Sequence, residues 1–281
     1  MNVVTTKVEL KRKIAAYKKQ NKSIGFVPTM GFLHEGHLKL IEEARKGNDI
    51  VILSIFVNPL QFGPNEDFES YPRAQQRDEE LANSAGVDLV FLPSVNEMYP
   101  QSPGYTISVQ SRVNVLCGKS RVGHFDGVAT ILTKLFHLIE PNRAYFGMKD
   151  AQQVAVVEGL VEELNFPLEI VPVSTIREAD GLAKSSRNVY LNEEERREAP
   201  SLYRSLVTAK EEIVKGNTDF EEIKAMIKAY ITQNTSGVID YIEILTYPQL
   251  EEIKVPKGKV IIALAVKFSK ARLIDNITVE I

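Results

Sequence analysis

The strongest constraint on the fold is an alternation of short, continuous apolar runs with segments of helical periodicity. The runs SIGFVPTM (23–30), DIVILSIFV (49–57) and VDLVFLPS (87–94) are separated by LKLIEEARK and RAQQRDEELANSAG, which have helical patterns. Unbroken Val, Ile and Leu runs of this length are typical of strands that are covered on both faces, as in a parallel sheet. The pattern therefore predicts repeated strand–helix–strand units.

The same alternation continues through the middle of the chain. FDGVATILTKLFHLIEP (125–141) has helical spacing and stops at Pro141, and DAQQVAVVEGLVEEL (150–164) is a second helical segment. Strands are predicted at RAYFGM (143–148) and LEIVPVSTI (168–176). We therefore predict an α/β domain with a doubly wound, Rossmann-like parallel sheet over residues 1–176. Ligands of such sheets bind at the carboxyl ends of the strands, beside helix N-termini.

The pattern changes after residue 176. Two helical segments, 192–216 and 218–233, are followed by several strand-like segments with no helix between them. Consecutive strands without intervening helices indicate an antiparallel sheet. Residues 177–281 are therefore predicted to form a second, smaller α+β domain.

Composition excludes several classes of protein. The chain has 281 residues, a net charge of −3 and no basic stripe, so nucleic acid is not an expected partner. Its apolar stretches fall short of the roughly 18–20 residues that a membrane span needs. The single cysteine, Cys117, cannot form an internal disulfide, which favours a reducing, cytoplasmic location.

Two histidines lie where the first strand-like run gives way to a helix. In PTMGFLHEGHLKL, His34 and His37 are three residues apart with Gly36 between them. This spacing places both imidazoles on one side of the first helical turn, where unpaired N–H groups attract anions. Because Gly36 has no Cβ, a flat ring can approach the backbone there. The arrangement predicts a nucleotide cradle of the His-x-Gly-His type, which is found in adenylate-forming and nucleotidyl-transferring enzymes.

Two other interpretations of the histidines are weaker. The zinc-protease motif HExxH places its histidines at i and i+4, whereas these lie at i and i+3 with a glycine between them. The pair could also only cap the helix. Two of the four histidines of the chain at one corner favour a functional role.

Positive charge for a triphosphate is available in two other stretches. GMKD (147–150) leaves a strand and carries Lys149, and KSSR (184–187) follows the last strand of the sheet with Lys184 and Arg187. Either stretch alone is typical of a solvated surface. Their common position after predicted parallel strands favours phosphate binding.

Amide and acidic side chains complete the candidate site. Asn58 and Gln61 lie in a proline-bounded loop after the second strand, and Gln153 lies in the first turn of a helix. Such amides bind hydroxyl and carboxylate groups of small substrates. Asp78 could hold Mg²⁺ through one carboxylate. Ordinary surface amides and a surface acid on a helix are the alternatives.

Several separate blocks together resemble one enzyme family. PTMGFLHEGHLKLI, SIFVNPLQFGPNEDFESYPR, RVGHFDGVATILTKLFHLIEPNRAYFGMKDAQQ and ADGLAKSSRNVYL are similar, in the same order, to blocks of the pantoate–β-alanine ligase (pantothenate synthetase) family. The resemblance implies a ligase that uses ATP and Mg²⁺ and condenses pantoate with β-alanine through a pantoyl-adenylate. AMP and pyrophosphate are released, and the product serves coenzyme A biosynthesis. It also implies a homodimer with small-molecule partners, and a lid role for the C-terminal domain over residues 177–281.

The resemblance also assigns roles to residues. His37 is the expected proton donor, and His34, Lys149 and Arg187 are the other expected catalytic residues. Gln61 and Gln153 are expected to bind pantoate, and Asp78 to bind the metal. ATP contacts are implied at Met30, Gly31, Phe32, Leu33, His34, Glu35, Gly36 and His37, at Gly147, Met148, Lys149 and Asp150, and at Ile176, Lys184, Ser185, Ser186 and Arg187.

Two rival functions share the nucleotide cradle. A nucleotidyltransferase would stop at an adenylylated or cytidylylated product and would need no amine. A nucleotide-binding regulator would bind ATP without exchanging pyrophosphate. The presence of HEGH, GMKD and KSSR in one chain argues against the regulator, because binding alone does not require so many cations directed at phosphates.

Overall fold

The computed structural model describes residues 1–64, 66 and 68–281. These residues form two compact units. The first unit consists of Met1–Gln110, Arg121–Met148 and Val156–Ser174, and the second of Ser111–Ser120, Lys149–Ala155 and Thr175–Ile281. The lid role of the C-terminal part and a boundary at residues 176 and 177 stay predictions.

The helices and strands follow one another as the alternating sequence pattern predicts over most of the chain. In chain order they are β1 (Asn2–Val4), α1 (Lys7–Lys19), β2 (Ile24–Thr29), α2 (Glu35–Gly47), β3 (Ile50–Ile55), α3 (Gln75–Ser84), β4 (Leu89–Phe91), α4 (Val95–Met98), α5 (Leu116–Ser120), α6 (His124–Ile139), β5 (Arg143–Gly147), α7 (Ala151–Glu163), β6 (Glu169–Val173), α8 (Glu193–Glu198), α9 (Ser201–Val214), α10 (Phe220–Asn234), β7 (Val238–Thr246), β8 (Lys259–Lys267) and β9 (Arg272–Glu280). Short 3₁₀ turns cover Pro59–Gln61, Met148–Asp150 and Ser186–Tyr190.

The first unit is built on a parallel sheet with the strand order β1-β4-β3-β2-β5-β6. From β2 the chain first adds β3 and β4 on one side and then returns to place β5 on the other side. This reversal makes the sheet doubly wound, as predicted. A crevice for ligands is expected between β2 and β5, outside their carboxyl ends.

Burial on both faces explains the continuous apolar runs of the inner strands. Phe26, Val27, Ile52 and Leu53 are completely buried, and α2 packs Ile41 into the core on the face that carries Val27 and Leu53. Burying each such side chain contributes about 1.5–3 kcal/mol. The loop between β2 and α2 therefore connects two elements that the core holds in place.

One helix packs unusually close to the loop that follows β3. Gly127 of α6 lies so near the turn at residues 59–61 that a Cβ on it would be 2.2 Å from the carbonyl oxygen of Leu60. The Nδ2 of Asn58 also donates to the carbonyl oxygen of Gly127 at 3.0 Å. The absence of a side chain at Gly127 thus sets the distance between α6 and the turn that carries Gln61.

The second unit contains an antiparallel sheet with the order β7-β8-β9. Its helices α9 and α10 bury Leu206 and Ile227 in one core with residues of β8, such as Ile262. The sequence predicts a single helix over 192–216, but the structure has α8 and α9 with Pro200 between them. Proline removes a backbone donor and disrupts a continuous helix.

The amino-terminal elements β1 and α1 carry a weak sequence signal and were not predicted. β1 is only three residues long, and α1 buries only Leu10 and Ile14. None of the helices in the described ranges combines the length and the apolarity of a membrane span.

Gly127→Ala is expected to lower the free energy of unfolding by about 1–3 kcal/mol, the usual cost of overpacking. The overlap with backbone atoms outweighs the gain of about 1 kcal/mol that alanine brings to a helix interior. Guanidinium unfolding followed by circular dichroism measures the change. Gly104→Ala is the control, because a Cβ there meets no atom within 4 Å. Equal unfolding midpoints for the two variants would contradict the expected steric overlap.

Candidate active site

The loop between β2 and α2 has an uncommon backbone. Gly31 has a φ of 86° and Phe32 a φ of 51°, so two consecutive residues are in the left-handed region. A non-glycine residue rarely adopts this conformation. Thr29 supports the turn, since its Oγ1 accepts from the N–H of Gly31 at 3.2 Å. The turn leads directly into His34, the N-cap of α2.

The two predicted histidines form a reciprocal cap on α2. The Nδ1 of His34 accepts from the N–H of Gly36 at 3.1 Å, and the Nδ1 of His37 accepts from the N–H of His34 at 3.3 Å. Their ring centroids are 4.1 Å apart. Because each Nδ1 is an acceptor, the neutral imidazole carries its proton on Nε2. The cap therefore orients two Nε2–H groups beside a helix N-terminus.

Gly36 is required by the ring of His34 itself. A Cβ on Gly36 would lie 2.8 Å from Cε1 and 3.0 Å from Nδ1 of His34. The sequence predicts that a flat ring approaches this glycine, and the structure brings the imidazole of His34 there. A purine at the same position stays a prediction.

Asp78 reaches the same loop from α3. Its Oδ2 accepts from the N–H of Phe32 at 2.8 Å and its Oδ1 from the N–H of Leu33 at 2.7 Å. The residue is only 1% exposed. A magnesium ligand must offer an oxygen to a largely hydrated ion, whereas both oxygens of Asp78 are directed at backbone amides. These contacts do not fit the prediction that Asp78 holds Mg²⁺.

No other group in the described ranges is arranged as a metal site. Among these residues, no three or more His, Cys, Asp and Glu side chains come together in a way that could hold an ion. This observation also gives no support to zinc at the histidine pair.

Gln61 is positioned by a buried amide network. Its Nε2 lies 3.0 Å from the Sδ of Met30, which is a weak acceptor, and its Oε1 accepts from the Nδ2 of Asn58 at 3.2 Å. The Oδ1 of Asn58 accepts from the hydroxyl of Tyr99 at 3.0 Å and from the N–H of Leu60 at 3.3 Å. Asn58 is 1% exposed, so its contacts fit a support for Gln61 better than the predicted direct contact with substrate.

A third histidine belongs to this edge of the sheet and was not predicted. The Nδ1–H of His124 donates to the carbonyl oxygen of Gln61 at 2.8 Å, while its Nε2 lies 3.0 Å from an Nη of Arg121. Arg121 in turn forms a bidentate pair with Glu66. Burial opposes the ionisation of Glu66, but Arg121 outweighs it and holds the pKa of that carboxyl below its usual range. The chain has only four histidines, and this small number was the one feature of the sequence that could have marked His124 as a candidate site residue.

The crevice between β2 and β5 opens toward their carboxyl ends. β2 pairs with β3 along its whole length but with β5 only at Gly25 and Phe26. Gly147 and Met148, both predicted ATP contacts, leave β5 at this edge. The first unit thus brings two of the predicted ATP segments to neighbouring strand ends.

A cavity of about 600 Å³ adjoins the other side of the loop. It lies at the carboxyl ends of β3, β4 and β1, and its walls include Met30, Gly31, Asp78, Pro93 and Glu97. It shares Met30 and Gly31 with the predicted ATP segment. Leu33, which belongs to the same segment, is fully buried in the core, so only its backbone is available to a ligand.

The second unit holds the predicted residues that follow β5. Lys149 lies 3.7 Å from Asp150, and its carbonyl oxygen accepts from Asn276 at 2.9 Å. Of the adjacent glutamines, Gln152 is buried and donates to backbone carbonyls of the segment that precedes α5. The residue after Gln152 is Gln153, the predicted pantoate ligand, and its side chain is half-buried.

The predicted residues after β6 lie on a small hairpin. Arg177 and Ala183 form an antiparallel bridge, and the N–H of Lys184 donates to the carbonyl oxygen of Ile176 at 2.9 Å. Lys184 and Ile176, two predicted ATP contacts, are therefore neighbours. The Nζ of Lys184 lies 2.9 Å from Glu178.

The KSSR stretch continues from the hairpin into a 3₁₀ turn. Its cap is Ser185, whose Oγ accepts from the N–H of Arg187 at 3.3 Å. Ser186 and Arg187 lie within the turn, and all the residues of the stretch are partly accessible. Lys184 and Arg187 thus project from one compact local structure.

One family model and several known proteins match this chain over nearly its whole length. The family model described as Pantoate-beta-alanine ligase matches residues 2–278. Pantothenate synthetase of Geobacillus sp. (strain WCH70) is 59% identical over 280 residues, covering 99% of both chains. The corresponding protein of Bacillus subtilis (strain 168) is also 59% identical, over 283 residues that cover 100% of this chain and 98% of the relative.

Solved structures agree with the sequence comparison. A crystal structure of pantothenate synthetase from Thermus thermophilus matches with a TM-score of 0.93 at 44% identity, covering 99% of both chains. Pantoate-beta-alanine ligase from Francisella tularensis, complexed with beta-gamma ATP and beta-alanine, matches with a TM-score of 0.79 at 35% identity, covering 99% of this chain and 97% of that one. The chain therefore belongs to the pantoate–β-alanine ligase family of enzymes.

Proposed function

We propose that this protein joins pantoate to β-alanine in a reaction that converts ATP to AMP and pyrophosphate. The observation that supports this most is the reciprocal cap of His34 and His37, which presents two imidazoles at the helix N-terminus beside the β2–β5 crevice. The ATP and β-alanine in the Francisella tularensis complex are consistent with the same two substrates here. The product, pantothenate, would serve coenzyme A biosynthesis.

The first chemical step forms a pantoyl-adenylate. A carboxylate oxygen of pantoate attacks the α-phosphorus of ATP, and the bond from that phosphorus to the bridging oxygen breaks as pyrophosphate leaves. Both reactants are anions, so charge neutralisation and in-line positioning dominate catalysis. His34 and His37 donate Nε2–H bonds to phosphate oxygens, and the N-terminus of α2 adds its partial positive charge.

The second step forms the amide bond. The neutral amine of β-alanine attacks the acyl carbon, and the carbon–oxygen bond to AMP breaks. The amine nitrogen loses one proton as the amide forms, and AMP leaves as the conjugate anion. Water must be excluded at this stage, because the adenylate would otherwise hydrolyse. A lid formed by the C-terminal part of the chain remains a prediction for this role.

The substrate contacts follow the predicted assignments with one change. Gln61 and Gln153 bind pantoate, and Lys149, Lys184 and Arg187 bind phosphate oxygens. Asn58 acts through Gln61, because its own side-chain atoms already form hydrogen bonds within the protein. Mg²⁺ would be held mainly by the triphosphate and water, and it would neutralise part of the phosphate charge. The homodimer and the cytoplasmic location also remain proposals, supported by the family resemblance and the single cysteine.

The lysines proposed to bind phosphate already have acidic neighbours. Lys184 lies 2.9 Å from Glu178 and Lys149 lies 3.7 Å from Asp150, and these side chains are partly exposed. Exposed or partly exposed ion pairs contribute only about 0–1 kcal/mol. Exchanging such a carboxylate for the more highly charged triphosphate therefore costs little. The pairs orient the lysines without competing strongly against ATP.

An assay with ATP and D-pantoate, with and without β-alanine, tests the proposed reaction. Labelled pyrophosphate is expected to exchange into ATP when pantoate is present, and AMP is expected to appear only when β-alanine is added. Pyrophosphate release followed by an adenylylated end product, with no effect of the amine, would favour a nucleotidyltransferase. ATP binding without pantoate-dependent exchange would favour a regulator, and either result rejects the proposal.

His37→Ala is expected to slow adenylation about 10²–10⁴-fold, the range for a positioned acid or charge-stabilising donor. The rate of pantoate-dependent pyrophosphate release measures it. Because His37 also caps α2, His37→Gln is the decisive companion variant. Glutamine at this position of a helix can still accept from the N-cap N–H but lacks the imidazole.

Slow adenylation in both His37 variants supports a chemical role for the ring. An adenylation rate in His37→Gln close to that of the unmodified protein would show that His37 only caps the helix. His137→Ala is the matched control, because His137 is exposed on α6, and its rate is expected to stay unchanged.

The family resemblance also implies that Gln61 lies near the β-alanine site. Gln61→Ala is therefore expected to raise the apparent constants for pantoate and β-alanine about tenfold to a hundredfold, the cost of a lost hydrogen bond to a charged group. The constant for ATP should change little. Steady-state kinetics with each substrate varied in turn measures the difference. Gln233→Ala, on the exposed face of α10, is the control. An equal rise for all three substrates would argue against a pantoate contact.

A further inference from the structure

Helix α3 holds the β2–α2 loop through two consecutive side chains. The carboxylate of Asp78 accepts from the N–H groups of Phe32 and Leu33 at 2.8 and 2.7 Å. The guanidinium of Arg77 lies 5.4 Å from the ring centre of Phe32. A charged hydrogen-bond pair and a cation–π contact thus act on adjacent residues of the same turn.

The backbone of this turn is arranged to bind an anion. Gly31 and Phe32 are both at positive φ, and the N–H groups of Phe32 and Leu33 are directed at the two oxygens of one carboxylate, that of Asp78. Consecutive N–H groups that converge in this way form anion-binding concavities, which often hold phosphate. Here the protein supplies the anion from within, because the carboxylate of Asp78 occupies the concavity.

Close packing leaves the carboxylate little room to move. A Cβ on Gly31 would lie 3.0 Å from both Oδ2 of Asp78 and Cγ2 of Ile55. Asp78 itself is 1% exposed. The position of the turn is therefore set by α3 on one side and by β3 on the other.

We propose that Asp78 is a positioning residue for ATP binding, and that it acts through the backbone of residues 31–34 instead of through a metal ion. By satisfying the N–H groups of Phe32 and Leu33, it fixes the turn that leads into His34 and so the orientation of the N-terminus of α2. The assignment of this loop to ATP rests on the proposed function.

Asp78→Asn is the test, because an asparagine has only one acceptor oxygen and its NH₂ group would face a second N–H donor. Calorimetry without pantoate or β-alanine is expected to show ATP binding about tenfold to a hundredfold weaker, the usual loss for a hydrogen bond to a charged group. The KM for ATP should rise by the same factor. The KM for pantoate and the Mg²⁺ concentration for half-maximal activity should be unchanged.

Two further variants separate positioning from general stability and from metal binding. Asp88→Asn is the matched control, because the Oδ2 of Asp88 also accepts from a backbone N–H, that of Val51, but it precedes β4 at the amino-terminal edge of the sheet. Its ATP affinity is expected to be unchanged. Gly31→Ala keeps the carboxylate and disturbs the same packing, so it should weaken ATP binding as Asp78→Asn does. It also serves if Asp78→Asn does not fold.

Three results would overturn the inference. They are ATP affinity equal to that of the unmodified protein in Asp78→Asn, an increased Mg²⁺ requirement that Mn²⁺ relieves, and an equal loss of ATP affinity in Asp88→Asn. The binding measurement needs neither pantoate nor turnover. If the unmodified protein binds ATP but shows no pantoate-dependent exchange, the proposed function fails while the role of Asp78 can still be judged.

Discussion

The turn between β2 and α2 depends on side chains that accept hydrogen bonds from its backbone N–H groups. An unsatisfied buried N–H costs about 1–3 kcal/mol, and a helix start leaves several such groups at once. Side-chain acceptors meet this need one after another along the turn. They are Thr29 for the N–H of Gly31, Asp78 for those of Phe32 and Leu33, His37 for that of His34, and His34 for that of Gly36.

This arrangement shows how one short segment can be stable and still take the catalytic role that we propose for it. The cap uses the Nδ1 atoms of His34 and His37, so the opposite nitrogen of each ring carries the proton and can act on a ligand. The capping that the structure shows and the catalysis that we propose therefore use different nitrogens of the same two rings and do not compete. The structure confirms the interpretation that the two histidines cap the helix. This cap is compatible with the catalytic role that we propose for the same residues.

Local patterns in the sequence determined the larger part of the fold. Continuous apolar runs predicted β2 to β6, and helical spacing with Pro141 predicted α6, because burial on two faces and helix periodicity act over short stretches of chain. The His-x-Gly-His spacing is also a pattern within a short stretch of chain, so it could be recognised from the sequence. Short or polar elements such as β1 and α1 depend on their partners and gave too weak a signal.

Only the tertiary structure decided what several polar residues do. Asp78, Asn58 and His124 are far in sequence from some of their hydrogen-bond partners, so no local pattern could reveal that a carboxylate, an amide and an imidazole are directed at backbone groups. The sequence determined which residue types were available at the site. Packing of α3 and α6 against the strand ends decided which of them point inward as supports, because a buried polar atom must take whichever partner the fold brings within reach.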